Sequence, residues 1–404
     1  MAIAIVCLHT SPADDPGAGD AGGMNVVVLH QAQALAGLGH QVDIFTRRSS
    51  ADAASRRHLA PGLTLTTLDA GPAHPVPKGD HEGFIDEFRE RLSGFGPYDV
   101  VHSHHWFSGM AALPLARAWR APHVQSFHSI AADPSTPLSE GERPESPGRM
   151  AGEAHLARES DAVVAISRAE AHTVERRLGG DADRIAVVPP GVDAILFHPA
   201  EPTDARSTSI LVAARLQPLK GIDLAIEAVA ALSDRLGPGA AQPELVVSGA
   251  ASADFDGYAE ELADLATRLG IGDRVRFLGP QSRADLAALM RQARIVLIPS
   301  HSETYGLVAL EAAASGVPVV AAASGGLREA VVNGSTGLVI DGRDPQHWSA
   351  NMLRLFTDDA FAARLGRTAR LRAQRLDWSR SARGLLAAYA PTSVRTATPG
   401  LCAR

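Results

Sequence analysis

The sequence predicts an α/β protein, two Rossmann-like parallel-sheet domains facing each other across a cleft. Three observations predict it. Short β-branched runs alternate with longer helical patterns from end to end, which marks parallel α/β layers. That alternation breaks at His198-Pro199-Ala200-Glu201-Pro202-Thr203-Asp204, which is linker chemistry. A second strand–helix series then begins. The 404 residues are enough for two domains, each burying its own core.

In the first series (1–198) strands are expected near 2–8, 41–46, 63–68, 98–102, 122–127, 161–166 and 185–188. Helices are expected at 24–37, closed by Gly39, and at 81–93. The stretch 130–148 is rich in Pro, Ser and Glu and reads as a long loop of the kind that is functional or mobile. In the second series (208–376) strands are expected near 208–213, 244–248, 274–278, 294–298 and 317–321. A last helical segment, 377–390, is expected to pack back onto the first domain, with a frayed tail from Pro391. Ligands of open α/β sheets bind outside the carboxyl ends of the strands, so two facing sheets imply a two-part ligand.

Composition narrows the partners. Apolar residues make up 45% and charged residues 21%, and the formal net charge is −7 without a basic run. That argues against nucleic acid or an anionic membrane surface. No apolar run approaches the ~20 residues of a membrane-spanning helix. The first residues lack a basic n-region and read as a strand instead of a signal peptide, so a cytoplasmic location is expected. Cys7 and Cys402 fall in a buried strand and a loose tail, which makes a disulfide framework unsupported. Positive charge is almost all arginine; the only lysines are Lys78 and Lys220. A retained lysine suits a point-charge site where a guanidinium fork does not fit, although codon usage explains the bias equally well.

Gly17-Ala18-Gly19-Asp20-Ala21-Gly22 matches the G-x-G-x-x-G pattern of dinucleotide sites, with Asp43 at roughly the spacing of a ribose carboxylate. The context fails. His9 to Pro16 separate the glycines from the first strand, and Asp43 sits inside a strand. The segment instead offers a Gly-rich loop ending in Gly22-Gly23-Met24-Asn25 at a helix N-terminus. Free N–H groups there favour anionic or hydroxylated ligands; a plain turn is the alternative.

Three pieces of the second domain suit a nucleotide diphosphate. Arg215 and Lys220 lie five residues apart on a strand-to-helix turn and can bracket a pyrophosphate. Glu303-Thr304-Tyr305-Gly306-Leu307 through Glu311 follows an apolar strand and opens a helix. On one helix the two carboxylates would stand ~12 Å apart, too far for a retaining glycosidase pair but suited to two separate contacts. Glu303 would meet sugar hydroxyls and Glu311 the ribose, with the N–H groups of Thr304 to Leu307 facing the diphosphate. Gln281, in the loop Gly279-Pro280-Gln281, is the candidate for reading the base, a simple turn being the other reading. In the first domain, His102-Ser103-His104-His105-Trp106 and Ser126-Phe127-His128-Ser129 end two successive strands. Zinc is not expected there, because no cysteine accompanies the histidines and no H-E-x-x-H occurs.

At these residues the chain resembles glycosyltransferase family 4, retaining enzymes of the GT-B fold. The resemblance covers nearly the whole length, including Arg215…Lys220, Glu303…Glu311, Pro190-Gly191-Val192-Asp193 and Trp378. Within that family it is similar to the group that carries N-acetylglucosamine from UDP-GlcNAc to D-inositol 3-phosphate in mycothiol biosynthesis. His9-Thr10-Ser11-Pro12, Gly19 to Asn25, His102-Ser103-His104 with Trp106 and Ser108-Gly109, and Ser302-Glu303 carry that narrower likeness.

The resemblance implies a hexosyltransferase that needs no cofactor and favours a homodimer. His128 would contact the donor sugar, Arg215 and Lys220 the diphosphate, Glu303 the sugar and Glu311 the ribose. Asp15, Pro16 and Gly23 would lie beside the donor. His9 and the loop Asp20, Ala21, Gly22, Gly23, Met24 and Asn25 would hold acceptor hydroxyls. Lys78, Ser129 and Arg149 would form a phosphate pocket, with His105 a further acceptor residue. His105 replaces the family's tyrosine and Ser129 its threonine, while Ala214 stands for a glycine and Ser248-Gly249-Ala250-Ala251-Ser252 for a Gly-Gly-Pro-Ser-Gly-like loop. The first two changes touch the acceptor pocket. Competing readings are another acceptor, a sugar-nucleotide epimerase or hydrolase, and a non-catalytic sugar-nucleotide binder.

Overall fold

A computed structural model describes residues 1–14, 22–137, 141–201, 208–236, 239–251, 255 and 257–390. Asp15, Pro16, Asp20 and Ala21, residues 202–207, Ser252, and the tail with Cys402 lie outside the described residues. Among the described residues no helix is long and apolar enough to cross a membrane.

The first sheet has eight strands: β1 (Ala2–Cys7), β2 (Gln41–Arg47), β3 (Arg56–Ala60), β4 (Leu63–Leu68), β5 (Val100–His104), β6 (His123–Ser126), β7 (Ala162–Ala165) and β8 (Ile185–Val187). Their order is β3-β4-β2-β1-β5-β6-β7-β8, and all pairs are parallel except β3 with β4. The second sheet holds β9 (Ser209–Ala213), β10 (Glu244–Ser248), β11 (Val275–Gly279), β12 (Ile295–Ile298), β13 (Val319–Ala322) and β14 (Gly337–Ile340). It runs β11-β10-β9-β12-β13-β14, parallel throughout.

Helices cover both faces of a parallel sheet, so its central strands are apolar on both sides. β1 and β12 show this: Ile3 to Cys7 and Ile295 to Ile298 are all buried. In each sheet the strand order reverses beside the first strand, at β1/β5 and at β9/β12. That reversal opens a crevice at the carboxyl ends, where loops leave in opposite directions. His9-Thr10-Ser11 and His104-His105 emerge at one crevice, Arg215 and the 299–303 loop at the other.

The chain crosses between the sheets along two adjacent paths. Gly191 packs so closely on the Asp377–Trp378 backbone that a Cβ would come 2.5 Å from the Trp378 nitrogen. Val192 N–H donates to the Leu376 carbonyl at 2.8 Å. Helix Trp378–Tyr389 then lies on the first sheet beside helix Gly23–Gly37. Trp378 stacks on His30 at 5.0 Å, Gln31 donates to Ser381 at 2.9 Å, and Ala382, Leu385, Ala388 and Tyr389 complete the core around β1.

Two strands were not expected from the sequence. β3 is an exposed antiparallel edge of Arg-Arg-His-Leu-Ala, and β14 is a short Gly-Leu-Val-Ile. The strand expected at 98–102 runs at Val100–His104 instead, because His102 and His104 find buried polar partners and stay in the sheet. Residues 78–84 form a 3-10 turn, with an α-helix only from Ile85 to Leu92.

Candidate active site

Loops from both sheets meet at the cleft. On the second domain the chain leaves β9, passes Arg215, makes a single turn at Pro218–Lys220 and reverses at Gly221, where φ is +64°. A Cβ on Gly221 would stand 2.3 Å from the Pro299 carbonyl, so glycine lets this turn lie against the end of β12. The result brings Lys220 Nζ to 2.8 Å from Glu303 Oε2, with both side chains about one-fifth exposed.

Glu303 is not on the helix expected to carry it. Gly306 adopts φ +103° and breaks the chain, so the helix is Leu307–Ala314. The ~12 Å separation expected of one continuous helix therefore does not apply. Glu303 lies in the preceding loop and Glu311 one turn into the helix. Tyr305 is buried at this corner. The loop rests on Gly325 and Gly326, where a Cβ would lie 2.1 Å from the Glu303 carbonyl and 2.2 Å from that of Thr304, respectively. Gly326 N–H donates to the Glu303 carbonyl at 2.9 Å.

Glu311 is almost fully buried and pairs with Arg283, which also lies over the Phe197 ring at 4.7 Å. Burial raises the Glu311 carboxyl pKa despite that cation. Gln281 turns its amide onto the Leu278 and Pro280 carbonyls at 3.0 and 3.1 Å.

The first domain faces this loop. The Leu307 side chain comes close to Gly23, whose Cβ, if present, would be 3.4 Å from Leu307 Cδ1. Asn25 holds the end of the Gly-rich loop. Its Oδ1 accepts from Gly22 N–H at 2.9 Å, and its amide donates to Thr10 Oγ1 at 2.8 Å and the Ser11 carbonyl at 2.7 Å. Both amide hydrogens are thus committed within the protein, whereas Met24 beside it is half-buried.

His128, two residues past β6, has φ +61°, a region few residues other than glycine adopt. Two contacts hold it there. His104 Nδ1 lies 2.8 Å from His128 Nε2, and Thr304 Oγ1 donates to its carbonyl at 2.8 Å. Burial keeps the His128 imidazole neutral, lowering its pKa to about 4, and among the described residues Nδ1 has no hydrogen-bond partner.

The acceptor candidates form a second cluster on the same domain. Arg149, fully buried, donates to Ser129 Oγ at 3.0 Å, Glu153 at 2.8 Å, Glu142 at 3.2 Å and also Glu145. Lys78 joins through Glu142 at 2.8 Å. His105, also at positive φ (+69°), packs its ring 4.4 Å from that of His9 and 3.8 Å from Glu145. Desolvation, with the nearby cations, holds both imidazoles well below their usual pKa. His104 turns to His128 and its neighbour His105 to His9 and Glu145, so the tip of β5 joins the two clusters. Arg283, Glu142, Glu145, Glu153 and Glu170 were not singled out from the sequence; Arg283 and Glu142 pair with residues 28 and 64 positions away, whereas the i,i+4 spacing of Glu145 and Glu153 from Arg149 is a local signal.

A family model described as "Family 4 Glycosyltransferase in conflict systems" matches residues 13–385. A D-inositol 3-phosphate glycosyltransferase of Frankia alni is 40% identical over 396 residues, covering 95% of this chain and 97% of the relative. The sucrose-phosphate synthase structure from Thermosynechococcus elongatus superposes with a TM-score of 0.84 at 28% identity, covering 98% of this chain and all of that one. The Anabaena HepE structure in complex with UDP-glucose shares the fold, with a TM-score of 0.73 at 21% identity over 96% of this chain and 98% of that one. Two facing parallel sheets, matched loops at both switch points and these likenesses agree: the chain belongs to glycosyltransferase family 4 and is an enzyme of the GT-B fold.

Proposed function

We propose that this enzyme transfers N-acetylglucosamine from UDP-GlcNAc to a small polyol phosphate, 1D-myo-inositol 3-phosphate, with retention at the anomeric carbon, as in mycothiol biosynthesis. The convergence of Lys78, Ser129 and His105 around the buried Arg149 carries this reading, since it gathers cations and donors beside His9 at the edge of the cleft. The name of the 40%-identical relative supports the acceptor, and the UDP-glucose bound by the HepE fold relative supports a uridine nucleotide donor.

In this proposal Arg215, Lys220 and the first amides of helix Leu307–Ala314 grip the diphosphate. The bond from the sugar C1 to the diphosphate oxygen breaks while the acceptor oxygen bonds to C1 on the same face. The acceptor proton passes to the departing phosphate oxygen. Charge growing on the leaving group meets fixed donors that need no reorganisation, so the scheme calls for no cofactor. Glu303, held by Lys220, would receive sugar hydroxyls, and His128 Nδ1 would face the sugar. Closure of the cleft would exclude water and limit donor hydrolysis.

His105 and Ser129 favour one second reading, a different small acceptor on the same donor chemistry. Mass spectrometry of products from UDP- and GDP-sugars, with and without inositol 3-phosphate, separates the two. A disaccharide-like phosphate product from UDP-GlcNAc supports the proposal. Turnover of donor alone points to an epimerase or hydrolase, and transfer only to other acceptors overturns the inositol phosphate assignment.

A further inference from the structure

The anionic pocket is already filled by a side chain of the protein. Glu142 Oε1 lies 2.8 Å from Lys78 Nζ and 3.2 Å from Arg149 Nη1. Counting Glu145 and Glu153, this cluster holds one more carboxylate than cations. Burial alone would raise the Glu142 carboxyl pKa, yet Lys78 and Arg149 outweigh it and keep the group ionised far into acid.

The three carboxylates are not equivalent. Glu153 is 1% exposed and accepts Ala131 N–H as well as Arg149; Glu145 also accepts Trp106 Nε1–H at 3.0 Å. Both are locked by neighbours other than the cations. Glu142 is 38% exposed and, among the described residues, its side chain bonds only to Lys78 and Arg149, while its backbone is pinned by Ala132 N–H at 2.7 Å. Its side chain can swing out without moving the loop. The pocket still has unused polar capacity, since neither ring nitrogen of the buried His105 has a hydrogen-bond partner among the described residues.

We infer that Glu142 is a charge filter for the acceptor: it stands where the acceptor's anionic group binds and yields to a dianion but not to a monoanion or a neutral polyol. This rests on the acceptor reading proposed above. A monoanion replacing Glu142 exchanges one unit charge for another and gains nothing over a carboxylate already tethered in place. A phosphomonoester carries about −1.5 to −2 at pH 7 on three acceptor oxygens. Besides Lys78 and Arg149, which Glu145 and Glu153 balance, it therefore makes a strong charge-assisted bond to the His105 ring that Glu142 does not reach. Rejection of the weaker anion comes from a built-in competitor as much as from contacts to the right one.

The test compares the full-length protein with Glu142→Gln, both saturated with UDP, by calorimetry. The probes are myo-inositol 3-phosphate, the corresponding sulfate ester, and inorganic phosphate at pH 8 and pH 5.5. The wild type is expected to prefer the phosphate ester over the sulfate ester by more than tenfold. Glu142→Gln should bind the sulfate ester at least tenfold tighter and lose much of the preference. It should also bind phosphate at pH 5.5, where the monoanion dominates, far better than the wild type does. UDP affinity and melting temperature report folding. If Glu142→Gln binds these anions no better than the wild type, the filter is wrong and Glu142 only braces Lys78 and Arg149. If inorganic phosphate shows the effect while neither protein binds the inositol esters, the filter stands and the inositol reading falls.

Discussion

Thr304 Oγ1 donates to the backbone carbonyl of His128 at 2.8 Å, and this hydrogen bond ties the 303–306 loop of the second domain to the positive-φ turn after β6 in the first. A hydrogen bond of this kind contributes about 1 kcal/mol net. Thr304→Val keeps the shape and removes the donor, so the closed cleft should lose roughly that much. Donor KM should rise severalfold, with Thr304→Ser restoring it. Steady-state kinetics with varied donor check this.

Lys220 and Glu303 should behave as one unit. Lys220→Ala and Glu303→Ala are each expected to lower transfer by orders of magnitude while the proteins stay folded. The double variant should lose far less than the two losses combined, because groups that act together are non-additive. Near-normal rates in either single variant would remove the donor-site model.

Two glycines separate packing from propensity. At Gly326 a Cβ would stand 2.2 Å from the Thr304 carbonyl, so Gly326→Ala must push the 303–306 loop away. UDP affinity should fall at least tenfold. Gly37, at the end of its helix, has nothing within 4 Å of the same atom, so Gly37→Ala should leave affinity alone and stabilise by up to about 1 kcal/mol. Calorimetric titration and thermal melts distinguish the two.

Stability should depend steeply on pH through the buried histidines. Burial holds His102, His104, His105 and His123 well below 6.5, with His123 at about 3. Unfolding therefore takes up protons between those values and 6.5, and stability is lost as pH falls through that window. Glu170 opposes this. Burial raises its carboxyl to about 7, so its contribution is full below the ordinary value of 4.5 and lost as pH rises to 7. Glu170→Gln should make stability climb more steeply between pH 4.5 and 7. Urea melts across pH 4 to 8 measure both slopes.

Much of this architecture is written in local pattern. The apolar runs of β1, β9 and β12 could be placed from sequence because both faces of a parallel strand are buried, leaving little ambiguity. β3 was not legible: Arg56, Arg57 and His58 are exposed, and only pairing with β4 makes them a strand. His104 looks like a loop residue until His128 supplies a partner 24 positions away. The same holds at the site. Lys220 and Glu303 announce themselves by charge type and spacing, whereas Arg149 enters only through the family resemblance. Arg283 on Glu311 and Glu142 on Lys78 are tertiary pairings with no local signature, and the left-handed Gly306 that takes Glu303 off the helix is a tertiary fit to Leu327.

A crystal structure with UDP tests the donor cradle most directly. The diphosphate is expected within hydrogen-bonding distance of Arg215, Lys220 and the amides that open helix Leu307–Ala314, with the ribose at Glu311. UDP bound elsewhere, or with its phosphates turned away from Lys220, would contradict the donor cradle on which the proposed chemistry stands.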